Sequence, residues 1–296
     1  MKYVVFEAGS RAGLSALMFF LHYRRVTGSN DVLVMVDSDS TFVKTIAGRY
    51  EHVFAMTERD WNELRLINDG KVADCVAFPA DELTRQRGAD CAREWWNRVE
   101  RRFYNKRFVN EELTSVGISV PHTFSISSNV IIKPNTLSAG SKGIISADNV
   151  CVSERIDIEH EYVVDCFVFK GGDSFEIRAR EVKLKNGYDK YIRLVPKEDK
   201  IYGYVENLLT SCPIALADMF YGVCHLQIAE DYYGMLFYIE GSKRISGTSL
   251  VLLPDGYNPF FNINDDDSYK GEGIQRDVWY SYEQLLINSW RVANGQ

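Results

Sequence analysis

Short, fully apolar runs alternate with stretches of helical periodicity in the first third of the chain. Residues 3–6 form one such run, and Asp31–Val36 a second that ends at Asp37. Tyr50–Ala55 gives a third, and Asp74–Phe78 a fourth closed by Pro79. Between the first two, Ala12 to Tyr23 carries apolar residues at helical spacing. Uninterrupted apolar strands alternating with helices predict a parallel sheet covered on both faces. Residues 1–104 are therefore expected to form a Rossmann-like α/β domain.

The pattern changes beyond Tyr104. Lys106–Val116 reads as a short helix ended by Gly117 and followed by Pro121. From Val130 strands dominate, at 130–133, 144–146, 150–156, 161–169, 175–184 and 190–195, with Gly171-Gly172-Asp173 as a hairpin turn. A helix over 203–223, interrupted by Pro213, precedes two apolar strands at Cys224–Ala229 and Met235–Glu240, joined by Asp231-Tyr232-Tyr233-Gly234. A last helix is expected over 280–292. Residues 105–296 thus read as an α+β domain with antiparallel pairing.

At 296 residues and 46% apolar composition, the chain has material for two cores and is not a disordered protein. Thirty-four basic against 41 acidic residues give a net charge of −7, which argues against a general nucleic-acid binder. No apolar run is long enough to span a membrane, and the start of the chain lacks a signal-peptide pattern. The six cysteines, at 75, 91, 151, 166, 212 and 224, show no C-x-x-C spacing and read as reduced core residues of a cytoplasmic protein. The five histidines are equally scattered, so a zinc site is not expected.

Three segments could carry chemistry. The turn Ala8-Gly9-Ser10-Arg11-Ala12-Gly13, with Asp37 after the next strand, is placed as a dinucleotide fingerprint would be, although Ala8 and Ser10 stand where its first two glycines belong. The match is weak, and the plainer reading is a tight turn into a helix. The small residues Ser138–Gly143 follow the strand that ends in Lys133-Pro134. Their backbone N–H groups could wrap phosphate oxygens, with Lys133 either a cation aimed at a ligand or a snorkelling surface residue. Finally, Glu240, Ser242 and Arg244 alternate along one strand while Gln227 lies on its hairpin partner, a set that suits Mg²⁺ with phosphate or a surface ion pair. The basic stretch Lys183, Lys185, Lys190 and Arg193 is either a solvated hairpin face or a further anion site.

In order along the chain stand Asn105-Lys106-Arg107-Phe108, Gly117–Pro121, Lys133-Pro134, the Ser138–Gly143 loop, Glu154 with Glu161 seven residues later, and Glu240-Gly241-Ser242-Lys243-Arg244 followed by Ser246-Gly247-Thr248-Ser249. This succession resembles the ATP-grasp ligases, especially their carbamoyl-phosphate-synthetase and biotin-carboxylase-like branch. The resemblance implies a Rossmann-like pre-ATP-grasp domain over 1–104 and a two-subdomain ATP-grasp domain over 105–296, with a small lid at about 122–155. It implies that Lys106 and Lys133 contact the phosphates of ATP and that Ser138, Gly140 and Ser141 close over them. Adenine would meet the backbone at Arg155 and Ile156 beside Glu154, and Glu161 would hold the ribose. Gln227, Glu240 and Ser242 would bind Mg²⁺, with Mn²⁺ as the alternative, while Arg244 and Lys133 would serve the reacting phosphoryl group. Serine at 242 departs from the family's asparagine.

The activity so implied is ATP-dependent joining of a small carboxylate to an amine through an acyl phosphate. A nucleotide-binding module without ligase chemistry and an NAD-dependent oxidoreductase using the first turn are the alternatives. The expected partners are small molecules, neither nucleic acid nor membrane, and a homodimer is the expected assembly.

Overall fold

The computed structural model describes residues 2–37, 40–67, 75–78, 105–122, 130–134, 150–169, 172, 174–185, 188–264 and 276–296. In chain order these form β1 (Lys2–Phe6), α1 (Arg11–Thr27), β2 (Val32–Asp37), α2 (Ser40–Ala47), β3 (Val53–Thr57), α3 (Glu58–Ile67), β4 (Cys75–Phe78) and α4 (Lys106–Ser115). There follow β5 (Val130–Pro134), β6 (Val150–Glu154), β7 (Ile158–Val168), β8 (Phe175–Lys185), β9 (Tyr188–Leu194), α5 (Lys200–Thr210), α6 (Ile214–Phe220), β10 (Gly222–Asp231) and β11 (Leu236–Ser242). A 3₁₀ segment (Ser249–Asp255), α7 (Pro259–Ile263), β12 (Trp279–Ser281) and α8 (Tyr282–Asn294) complete the chain. Two compact units result. The first comprises Met1–Arg98, Arg244–Gln275 and Tyr280–Gln296, and the second Val99–Lys243 with Arg276–Trp279.

The first unit is built on a four-stranded parallel sheet in the order β3-β2-β1-β4. One core cluster joins Val4, Phe6 and Val36 to Trp61 of α3. Elsewhere in the unit Tyr3, Phe20, Tyr23, Phe260 and Phe261 form a set of mostly edge-to-face rings. The turn from β1 to α1 is tight. Gly13 lies so close to Ala8 that an added Cβ would stand 2.6 Å from its backbone. Ser10 caps α1 by accepting from the Gly13 N–H at 3.1 Å, and Gly28, at φ 68°, ends the helix in the left-handed region. The third strand begins later than its apolar run suggested. Arg49 and Tyr50 N–H groups instead close the end of α2 on Ile46 and Ala47 carbonyls.

The second unit carries antiparallel strands in the order β11-β10-β7-β8-β9, with Trp279 of β12 beyond β9. Tyr162, Val164, Cys166, Ile177, Leu226 and Ile228 form one apolar core with residues of α4, α5 and α6, including Leu113, Val205 and Leu216. The expected single helix over 203–223 is two helices. Proline has no N–H to donate and a fixed φ, so Pro213 stands just before α6 rather than within a continuous helix. β5 and β6 form a separate antiparallel pair. The expected strand at 144–146 lies outside the described residues.

The domain limits read from sequence and these compact units are different divisions. The C-terminal stretch 280–296 belongs to the first unit, where Arg25 of α1 donates to the Val292 carbonyl of α8 at 2.9 Å and stands against Gly295. Among the described residues no helix is long and apolar enough to cross a membrane. Cys166, Cys212 and Cys224 are free thiols.

His22 shows how closely the first unit holds α1 to α7. Asn258 Oδ1 accepts the Phe260 N–H, so its Nδ2 donates both to the Phe19 carbonyl and to His22 Nδ1, at 2.9 and 3.2 Å. The ring must therefore be neutral at Nδ1, and burial, assisted by the charge of Arg25, pushes its pKa down to about 4. An unfolded histidine binds its proton near pH 6.5. Between these values the unfolded chain holds the extra proton, so stability present above pH 6.5 is lost as pH falls towards 4. Thermal melts over that range should show a steeper fall in Tm for the native chain than for His22→Gln. Gly13→Ala should cost about 1–3 kcal/mol through overpacking against Ala8, seen as a lower denaturant midpoint with an unchanged slope.

Candidate functional site

The β10–β11 hairpin and the start of α4 bring the first pair of site residues together. Asp231 Oδ1 accepts from the Tyr233 and Met235 N–H groups, both at 2.9 Å, and Gly234 turns the chain at φ 78°. The ladder then pairs Gln227 with Glu240 but Ile228 with Tyr238, leaving Ile239 as an extra residue. α4 begins at Lys106 because Asn105 Oδ1 caps it through the Phe108 N–H. It is held in place by Val109 and Leu113 in the core, and by the Tyr238 N–H, which donates to the Ser119 carbonyl at 2.9 Å. The result is a bond from Lys106 Nζ to Glu240 Oε2 at 3.0 Å between side chains 134 positions apart, both mostly buried.

A second group lies across the centre of the sheet. The registers align His225, Asp165 and Arg178 in one row across β10, β7 and β8. Gln227, Val163 and Arg180 form the next, and Ala229, Glu161 and Val182 a third. Residues two apart on a strand share a face, so all nine positions lie on the face opposite the Tyr162–Val164–Cys166 core. Arg180 and Asp165, at 0% and 1% exposure, are joined by a direct ion pair. Arg178 pairs with Glu176 at 2.7 Å. The other face carries its own charges. His160 Nδ1 and Arg193 share Glu181, and Arg193 also reaches Asp277. Lys200 and Tyr162 share Glu230 at 2.6 and 3.0 Å. Lys183 lies over the Trp279 ring, 4.1 Å from its centre.

Solved structures share the fold that carries these residues. An N5-carboxyaminoimidazole synthetase from Staphylococcus aureus, determined with ADP, matches 93% of this chain and 78% of its own at a TM-score of 0.63 and 14% identity. An L-amino acid ligase from Bacillus licheniformis matches 87% and 71%, at 0.61 and 13%. An ATP-grasp superfamily protein from Archaeoglobus fulgidus matches 93% and 91%, at 0.59 and 12%. The chain has the ATP-grasp fold. At these identities the likeness is one of fold, and it does not select a branch within the superfamily. No protein-family model and no curated protein matches the chain.

Against the ATP-grasp expectations, the residues fall as follows. Lys106, Glu240 and Gln227 come together as described. Glu161 lies on the same sheet face as Gln227, two positions before Val163, the β7 residue opposite Gln227. Ser242 is buried at the end of β11. Arg244 begins the next stretch of the first unit, and its Nη1 donates to the Ile245 carbonyl at 3.3 Å. Lys133 lies on β5 opposite Cys151. Glu154 closes β6, its N–H donating to the His122 carbonyl at 2.7 Å, and is followed by an exposed Arg155 facing Asp157 at 3.8 Å and a half-buried Ile156. Ser138, Gly140 and Ser141 lie outside the described residues. The alternative first-turn site has its acid engaged, since Asp37 Oδ2 accepts the Gly9 N–H at 2.7 Å. In the basic stretch, Arg193 and Lys183 are held by Glu181, Asp277 and Trp279.

Asp165, Arg178, Arg180 and His225 were not singled out by sequence reasoning. The available signal was alternation, with Glu161 and Asp165 spaced by four along an apolar strand and Glu176, Arg178 and Arg180 spaced by two. A buried guanidinium that loses its carboxylate is strongly destabilising. Asp165→Asn should cost about 3–5 kcal/mol in chemical unfolding, and Asp165→Asn/Arg180→Met should recover most of it. Equal losses in single and double variants would show that the pair does not set this stability.

Proposed function

We propose that the chain is an ATP-dependent carboxylate–amine ligase that acts on a small carboxylate through an acyl phosphate. The observation that carries this reading is the 3.0 Å bond between Lys106 and Glu240 beside Gln227. Residues assigned separately to phosphate and to metal, from motifs far apart in sequence, meet at one place in an ATP-grasp fold. Relatives in fold include a synthetase determined with ADP and an L-amino acid ligase, which supports nucleotide use and C–N bond formation.

In this reading Lys106 and Lys133 bind the phosphates, with Ser138, Gly140 and Ser141 over them. Arg155 and Ile156 offer their backbone to adenine beside Glu154, and Glu161 holds the ribose. The substrate carboxylate attacks the γ-phosphorus and ADP departs. The amine lone pair then attacks the acyl carbon and phosphate leaves. Such transfer depends on positioning and charge neutralisation rather than on a nucleophilic side chain. Arg244, four residues beyond Glu240, steadies the phosphoryl group and the intermediate.

The donor set fits Mg²⁺, or Mn²⁺. Among the described residues no three acids, histidines or cysteines gather into a metal cage. One carboxylate from Glu240, the Gln227 amide and the Ser242 hydroxyl match an ion that takes few protein oxygens and completes its shell with phosphate and water. When bound, the ion supplies charge neutralisation at the phosphates. Lys106 keeps the Glu240 carboxylate compensated in the free protein and is positioned to turn to a phosphate when Glu240 takes up a cation.

Serine at 242, where the resembled family has asparagine, favours a second reading, a nucleotide-binding module without ligase turnover. The two separate in one set of measurements. With ATP and Mg²⁺ at about 100 times the dissociation constant, the folded state should gain about 2.7 kcal/mol and Tm should rise by several degrees, with the shift lost in Lys133→Ala and no shift with NAD⁺. ADP release with pooled carboxylates and amines should be abolished in Glu240→Ala while its circular dichroism stays native. Nucleotide binding without ADP release from any pool would select the second reading. Full turnover in Glu240→Ala would refute the site.

A further inference from the structure

In the first unit, α1, the end of α2, the 3₁₀ segment and α8 enclose an open groove of about 420 Å³. Its walls are Leu17 and Met18 of α1, Leu250, and Leu286, Ile287 and Trp290 of α8. α8 is anchored by the buried Leu285, Ser289 and Ala293. Leu286, Ile287 and Trp290 remain 37, 52 and 46% exposed, so they add an apolar stripe that the packing of the helix does not require. One charged residue lines the groove, Arg49, next to Tyr50. Its side chain is exposed, and among the described residues it makes no ion pair or hydrogen bond.

We propose that this groove is a binding site for an apolar carboxylate, with its hydrocarbon on the α1–α8 walls and its head group on the Arg49 guanidinium. The volume falls within the range of small-ligand pockets, about 300–1,000 Å³. Apolar walls with one convergent polar group are the usual composition of such sites. A planar guanidinium presents paired donors that match a carboxylate, so the charge selects an anion over an alcohol or an ammonium of equal length. None of the lining residues belongs to the proposed ligase site, and the groove is independent of that reading.

The test is calorimetric titration of the full chain with octanoate, with octan-1-ol and octylammonium as comparators and sedimentation velocity alongside. Octanoate should bind at one site and more tightly than either comparator. Arg49→Gln should weaken octanoate about three- to fivefold, as expected for an exposed ion pair, and leave octan-1-ol unchanged. Ile287→Asp, at a half-exposed position, should weaken both more than tenfold while its circular dichroism stays native. Three outcomes would each overturn the assignment. These are no saturable binding of octanoate, equal affinity for all three probes, and a self-association lost in Ile287→Asp with no octanoate binding, which would give the groove to a second copy of the chain.

Discussion

An arginine at zero exposure has to be met by a carboxylate, and in the second unit that requirement constrains how β7 and β8 pair. Asp165 on β7 and Arg180 on β8 satisfy one another, and Arg178 has Glu176. A slip of β8 by one residue against β7 would turn both arginines into the apolar core of Tyr162 and Val164, and would send Ile177 and Ala179 to the charged face. The pair is thus a poor source of net stability and a strong determinant of register. The neighbouring β7–β10 and β10–β11 ladders have registers of their own, which set Gln227 opposite Val163 and Glu240 opposite Gln227.

The two units show which features can be read from sequence. Strands buried on both faces announce themselves as apolar runs, and β1, β2 and β4 fall close to the runs that predicted them. Tyr50–Ala55 misled by about three residues because apolar character says nothing about where α2 closes; backbone hydrogen bonds of Arg49 and Tyr50 decide that. Pro213 was legible as a break but not as the boundary between two helices. In the site, Lys106, Gln227 and Glu240 could be named from ordered motifs, yet their mutual contact could not, since it depends on how α4 packs against β11. Asp165 and Arg180 escaped notice because buried charge looks, residue by residue, like an ordinary exposed strand. Only the pairing across strands reveals it.

The C-terminal stretch was opaque for a different reason. Its amphipathic pattern marks a helix over 280–292, but amphipathicity gives no address. Packing supplies it: α1 is buried along most of its length and takes cover from α7, α8 and the 3₁₀ segment, through rings such as Tyr23 against Phe261 and through Asn258 on the Phe19 carbonyl. Residues at opposite ends of the chain therefore complete one core.

The extra residue in β11 has a bearing on how this hairpin can vary. Because Ile239 stands unpaired between Tyr238 and Glu240, the ladder on its turn side and the ladder on its site side are offset by one. Changes of length in the Asp231–Met235 turn leave the offset intact, so loops of different size are compatible with the same carboxylate position. Loss of the single residue 239 would cancel the offset and change the parity of the strand beyond it. The hairpin is free to drift in length at its tip and is intolerant of any drift at one position near its base.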